Sequence, residues 1–81
     1  MTKELLRECI DSGREIEFKY NDKTYSITYG VVDEKEVISF CEFYKQSVEV
    51  GTFEELTELV YGDVSVIEMW QAVTDVDVWI T

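Results

Sequence analysis

The chain has 81 residues and a formal net charge of −11, because 18 Asp and Glu residues outnumber 7 Lys and Arg residues. Its hydrophobic content of 46% is too high for a disordered acidic tail, so we expect one folded domain over residues 1–81. A negative charge of this size disfavours direct binding to nucleic acid or to an anionic membrane.

The first predicted element is a helix over residues 3–12, with Thr2 as its N-cap and Gly13 as its left-handed stop. Its apolar residues recur at helical spacing and therefore share one face: Leu5, Leu6, Cys9 and Ile10.

After this helix the apolar period changes to two. The alternation predicts strands over residues 14–20 and 23–31, joined by a turn at Asn21-Asp22. Apolar and polar residues alternate along both strands, so we expect a hairpin with one buried face and one wet face.

A third strand is predicted over residues 36–43, after a polar turn at residues 33–35. It is apolar on both faces, which predicts cover on both sides and a buried Cys41. Val48 and Val50 indicate a short edge strand over residues 47–50.

Two capping boxes predict the remaining helices. Thr52 and Glu55 open a helix over residues 53–61 that ends at Gly62, and its inward positions are Phe53, Leu56, Leu59 and Val60. Ser65 and Glu68 open a helix over residues 66–73, with Val66, Ile67, Trp70 and Val73 inward.

Alternation returns after Thr74 and predicts a C-terminal strand, with Val76, Val78 and Ile80 inward and Trp79 exposed. A fraying helix is the alternative for this segment. The element order is therefore α-β-β-β-α-α with a final β. This order predicts an α+β fold in which helices pack on one face of an antiparallel sheet of three to four strands.

The sequence offers little for catalysis or metal binding. It has no histidine, and two cysteines without histidine cannot complete a four-ligand zinc site. Asp75 and Asp77 begin like a calcium loop, but the glycine and distant glutamate of such a loop do not follow. We therefore expect no enzyme activity, metal or cofactor. The lack of a leader, of a long apolar run and of a disulfide framework predicts a cytoplasmic protein.

Charge is distributed unevenly along the chain. No basic residue follows Lys45, whereas the remaining 36 residues carry eight carboxylates: Glu49, Glu54, Glu55, Glu58, Asp63, Glu68, Asp75 and Asp77. We expect these carboxylates to converge on one face, with Trp79 as an exposed aromatic contact. A fixed array of carboxylates imitates a nucleic-acid backbone, so the expected partner is a protein that binds nucleic acid through a basic groove.

The opening segment over residues 4–20, ELLRECIDSGREIEFKY, looks like a first helix leading into a first strand. With the element order, size and acidity of the whole chain, it resembles the phage-borne anti-CRISPR proteins that block an RNA-guided nuclease by mimicking DNA. The resemblance implies an inhibitor from a phage or mobile element, and we transfer no site residue from it.

One open interpretation is that the acidity serves solubility alone. Two further alternatives stay open. One is a structural or interaction module, in particular a homodimer through a strand edge at residues 47–50 or 75–80. The other is a small enzyme that works through carboxylates alone.

Overall fold

The computed structural model describes all residues from Met1 to Thr81 and has an α+β fold. Its elements are α1 (Lys3–Asp11), β1 (Ile16–Tyr20), β2 (Lys23–Val32), β3 (Lys35–Glu42), β4 (Val48–Val50), α2 (Phe53–Glu58), β5 (Val60–Tyr61), β6 (Val64–Ser65), α3 (Val66–Ala72), a 3-10 turn (Asp75–Asp77) and β7 (Val78–Ile80). No helix has the length and apolar character that crossing a membrane requires.

The main sheet is antiparallel and has five strands in the order β4-β3-β2-β1-β7, which is more than the three to four predicted. Two-residue turns join its first three strands. Asn21 and Asp22 have φ of 53° and 63°, and Asp33 and Glu34 have φ of 51° and 66°. Positive φ at both central residues matches the right-handed twist of a tight hairpin, so both turns fix the strand register.

A single core lies between one face of this sheet and the three helices. It contains 15 buried side chains, and the largest of those that are fully buried are Trp70, Phe18 and Phe40. The Trp70 ring meets Phe18 edge-on at 5.9 Å between centroids. Its indole N–H donates a hydrogen bond of 2.6 Å to the carbonyl of Thr2, which fixes the start of α1 against α3.

The predicted cover on both faces of β3 is wrong. Ile38 and Phe40 are buried under the helices, but Val37, Ser39 and Cys41 lie on the opposite face and are only partly buried. Their neighbours on β2 are short or polar, because Ser26 pairs with Cys41 and Thr28 with Ser39. This face is therefore too polar to bury a second layer, and the expectation of a buried Cys41 fails with it.

The predicted helix over residues 53–61 is too long. It ends at Glu58, and Leu59 is extended with φ −63° and ψ 127°. Val60, predicted inward, is 61% exposed in the small β5–β6 hairpin, where Gly62 takes a φ of +68°. Two hydrogen bonds favour this hairpin over another helical turn. The Val66 N–H donates to the Leu59 carbonyl across the hairpin, and the Tyr61 hydroxyl donates to Glu42 of β3.

The C-terminal strand is confirmed, but it is shorter than predicted. The 3-10 turn comes first and leaves Val76 exposed, contrary to the inward position expected for it. Val78 and Ile80 then pair with Phe18 and Ile16 of β1 and face the core.

Candidate protein-binding groove

The β2–β3 hairpin extends beyond its neighbouring strands. Its pairing continues to Val32 opposite Lys35, whereas β4 pairs only with residues 38–40 of β3 and β1 reaches only Ile27 of β2. We call the two-stranded projection over residues 30–37 the hairpin arm. Val31 and Val32 on this arm are 60% and 56% exposed. The arm therefore combines unpaired strand edges with exposed apolar side chains.

A groove of about 460 Å³ lies between the hairpin arm, β4 and the start of α2, and we call it the tip groove. Four carboxylates line it: Asp33, Glu36, Glu49 and Glu55. Its apolar lining comes from Val32, Val37 and Val50, and Lys35 is its only basic side chain. The tip groove thus has an acidic rim beside apolar contact area.

A smaller cleft of about 260 Å³ adjoins the tip groove and shares Glu36 and Gly51 with it. Asp11 and Glu54 add two carboxylates, and Arg7 is its only basic residue. Together the groove and the cleft hold six carboxylates and two basic side chains, which is a local formal charge of −4. Acidic residues from both halves of the chain therefore meet at this end of the molecule.

Arg7 neutralises part of the smaller cleft. Its guanidinium lies 3.3 Å from a carboxylate oxygen of Glu54, 3.8 Å from one of Asp11, and 5.1 Å above the Phe53 ring centroid. A backbone hydrogen bond to its own carboxylate, followed by the bond from Arg7, holds the pKa of Glu54 below its ordinary value. Glu54 is therefore an ion-pair partner within the protein and not a free charge.

Two carboxylates of the tip groove are each oriented by hydrogen bonds to one of their two oxygens. Oε1 of Glu55 accepts hydrogen bonds from the Gly51 N–H at 3.1 Å and from the Thr52 hydroxyl at 3.2 Å. Oε1 of Glu36 accepts a bond of 3.2 Å from the Tyr29 hydroxyl. The second oxygen of each makes no hydrogen bond within the protein, so both side chains are oriented and still able to accept from a partner. Desolvation, followed by the bond to Glu36, raises the pKa of Tyr29.

The structure separates the other carboxylates that the sequence grouped together. Glu58 ends α2 without an ion pair, and Asp63 lies in the β5–β6 turn. Glu68 caps α3 by accepting a bond of 3.4 Å from the Ser65 backbone N–H, and it also accepts one of 2.8 Å from the Ser65 hydroxyl. These three belong to separate local features. Glu68 satisfies its own helix terminus, which is a structural role.

Asp75, Asp77 and Trp79 lie at the far side of the molecule from the tip groove. Trp79 is 51% exposed on β7, at the opposite edge of the sheet from Glu49 on β4. Four strand spacings of about 4.8 Å separate those edges by roughly 19 Å. Of the nine residues predicted to contact a partner, Glu49 and Glu55 line the tip groove, and Glu54 lies in the adjoining cleft.

Sequence reasoning missed Asp11, Asp33 and Glu36, because they precede Lys45 and lie among basic residues in the chain. The hairpin contained a usable signal. The turn at residues 33–34 fixes the β2–β3 register and so sets Glu36 opposite Val31. Glu36 lies two residues along β3 from Ile38, and Ile38 pairs with Val50 of β4. This register places Glu36 near the end of β4.

The chemistry of the tip groove suits a basic side chain. Carboxylates at its rim can accept from a guanidinium or ammonium group, while the valines contact the aliphatic stem. No group of three or more His, Cys, Asp or Glu residues is arranged to hold a metal ion. The chain matches no protein-family model, no curated protein and no solved structure at a significant level.

Proposed function

We propose that this protein is a binding protein, not an enzyme, which inhibits or regulates a nucleic-acid-binding protein by occupying its basic groove. The observation that carries the proposal is the excess of six carboxylates over two basic side chains around the tip groove and its adjoining cleft. Lysines and arginines that normally contact phosphates would bind the four carboxylates of the tip groove instead, since those make no ion pair within the protein. The resemblance to DNA-mimicking anti-CRISPR proteins suggests the same class of target and a phage or mobile-element source.

The remaining charge supports fast association. The net charge of −11 attracts a basic partner over several ångströms and speeds encounter, whereas the tip groove supplies the close contacts. A cytoplasmic setting belongs to this proposal, and it is supported by two cysteines that are not joined in a disulfide.

The test compares two triple variants that each remove three negative charges. The groove variant is Asp33→Asn, Glu36→Gln and Glu49→Gln, which keeps side-chain size and leaves the amide oxygen at position 36 able to accept from Tyr29. The control variant is Glu15→Gln, Glu17→Gln and Asp75→Asn, whose side chains are exposed and make no ion pair.

Each protein is immobilised at low ionic strength, and proteins captured from a bacterial extract are eluted with salt and identified. A purified captured protein is then tested for displacement by a DNA duplex. We expect nucleic-acid-binding proteins to be retained by the wild type and the control variant, to be lost by the groove variant, and to be released by DNA. Equal capture by the two triple variants, or capture that DNA does not compete, would contradict the proposal.

The edge strand β7 favours a second candidate function, a homodimer. Its outer edge has no partner strand, and Val76 and Trp79 are exposed beside it. Light scattering separates the two candidates. Added salt screens repulsion between acidic copies and promotes a dimer, whereas it weakens binding to a basic partner.

A further inference from the structure

The outer edge of β3 is unpaired at the hairpin arm. Lys35, Glu36 and Val37 pair with β2 on one side, but β4 stops at Val50 because the chain turns at Gly51 into α2. This edge is three residues long, or about 10 Å at 3.3 Å per residue. Antiparallel pairing alternates, so Lys35 and Val37 direct their N–H and C=O groups to β2. Glu36 directs its own outward, and these are the template for an additional strand.

The tip groove lies along this same edge. Glu36 and Glu55 are on the helix side of the sheet, because Glu36 shares a face with the buried Ile38 and Glu55 belongs to α2. Val37 and Val32 are on the open side, where Glu49 also points. The two sides of the edge therefore differ in chemistry. The helix side offers two carboxylates beside Val50, and the open side offers two valines beside the oppositely charged Lys35 and Glu49.

We infer that the unpaired edge of the hairpin arm binds an extended basic segment of a partner protein by strand addition. The added strand would lie beside residues 35–37 of β3, beyond the end of β4. Side chains of a strand alternate between faces. The bound segment would therefore alternate arginine or lysine, directed at Glu36 and Glu55, with apolar residues directed at Val37 and Val32. This inference rests on the proposed function and specifies how the partner is recognised.

Charge complementarity selects this occupant over a second copy of the chain. The tip groove carries four carboxylates against Lys35, and every copy of the chain has a net charge of −11. The edge at β4 and the hairpin arm carries Glu36 and Glu49, which oppose pairing with another acidic strand and favour a basic one.

The probe is an octapeptide in which valine and arginine alternate, with both ends blocked. Its control contains four valines followed by four arginines, so that charge and composition are equal but alternation is lost. Calorimetry measures both affinities, and hydrogen exchange by NMR follows the amides of residues 35–37 and of β7. We expect the alternating peptide to bind about tenfold more tightly and to slow exchange at the outward-facing Glu36 amide by about tenfold or more.

Three outcomes would overturn the inference. They are equal binding of both peptides, binding without protection of the Glu36 amide, and protection at β7 instead. Concentration-dependent protection without peptide would indicate a second copy as the occupant and would also overturn it. Each of these results leaves the proposed function standing if the groove variant still loses its nucleic-acid-binding partners, so the two failures are distinguishable.

Discussion

The two tryptophans give a matched test of the fold, because one is buried and the other is exposed. Trp70 has no exposed surface, packs on Phe18 and donates its indole N–H to the Thr2 carbonyl. Trp79 is 51% exposed on β7 and makes no such bond. The same substitution, tryptophan to phenylalanine, is therefore expected to have very different effects at the two positions.

For Trp70→Phe we expect the free energy of unfolding to fall by about 2–4 kcal/mol. The loss of roughly 50 Å² of buried apolar area contributes about 1–1.5 kcal/mol, and the lost hydrogen bond contributes about 1 kcal/mol. The cavity left beside Phe18 adds the remainder. The Thr2 carbonyl still accepts from the Leu6 N–H, so no buried acceptor is left unpaired.

Urea denaturation followed by far-UV circular dichroism measures this change without depending on tryptophan fluorescence. A domain of this size has a total stability of about 4–12 kcal/mol, so Trp70→Phe should lower the thermal midpoint by roughly 10–25 °C. Trp79→Phe should lower the free energy of unfolding by less than about 1 kcal/mol. Equal shifts for the two variants would refute the arrangement of α1 and α3 described above.

Three further predictions concern backbone conformation, ionisation and charge. Gly62→Ala should lower the free energy of unfolding by about 1 kcal/mol, because Gly62 has a φ of +68°. Gly30→Ala is the control and should be tolerated, because Gly30 has open space around it and no positive φ. Equal thermal midpoints for the two variants would contradict this prediction. The hydrogen bond to Glu42, followed by desolvation, raises the pKa of Tyr61. The protonated Tyr61 hydroxyl therefore stabilises the fold fully below the unfolded pKa of 10.0, and this stabilisation is lost as the pH rises through the folded pKa. Tyr61→Phe should therefore flatten the alkaline fall of the thermal midpoint, and an unchanged fall would count against the contact. The chain has 18 acidic and 7 basic residues, so repulsion between carboxylates destabilises the fold and salt screens it. Raising NaCl from about 0.02 to 0.5 M should therefore raise the urea midpoint, and a constant midpoint would show that this repulsion is unimportant.

Local patterns in the sequence were sufficient for most elements. The Thr2 and Ser65 caps, the left-handed Gly13 and the turn at Asn21-Asp22 all depend on neighbours in the chain, and the structure contains each of them. The helix over residues 53–61 failed because Gly62 with positive φ suits both a helix end and a tight turn. The hydrogen bond from Val66 across the hairpin and the long-range bond from Tyr61 to Glu42 decided between them, and helical periodicity contains no information about either bond.

The site was harder to predict than the fold. Counting charges along the chain grouped Glu49 with Asp75 and Asp77, although they lie at opposite edges of the sheet. The tip groove instead joins Asp33 and Glu36 to Glu49 and Glu55, which strand register brings together across a gap of more than ten residues. Composition identified the sign of the charge, but only the order of strands determines where it gathers.

The central claim is that the carboxylates around the tip groove, and not the net charge alone, bind the basic partner. Its most direct test is calorimetry of a purified salt-eluted partner with the groove variant and the control variant, because both carry the same net charge. The groove variant loses three charge contacts, so we expect its affinity to be about tenfold or more weaker than that of the wild type. The control variant has the same change in net charge, and we expect its affinity to stay close to that of the wild type. Equal affinities for the two variants would contradict the claim, because they would mean that binding depends on total charge and not on this groove.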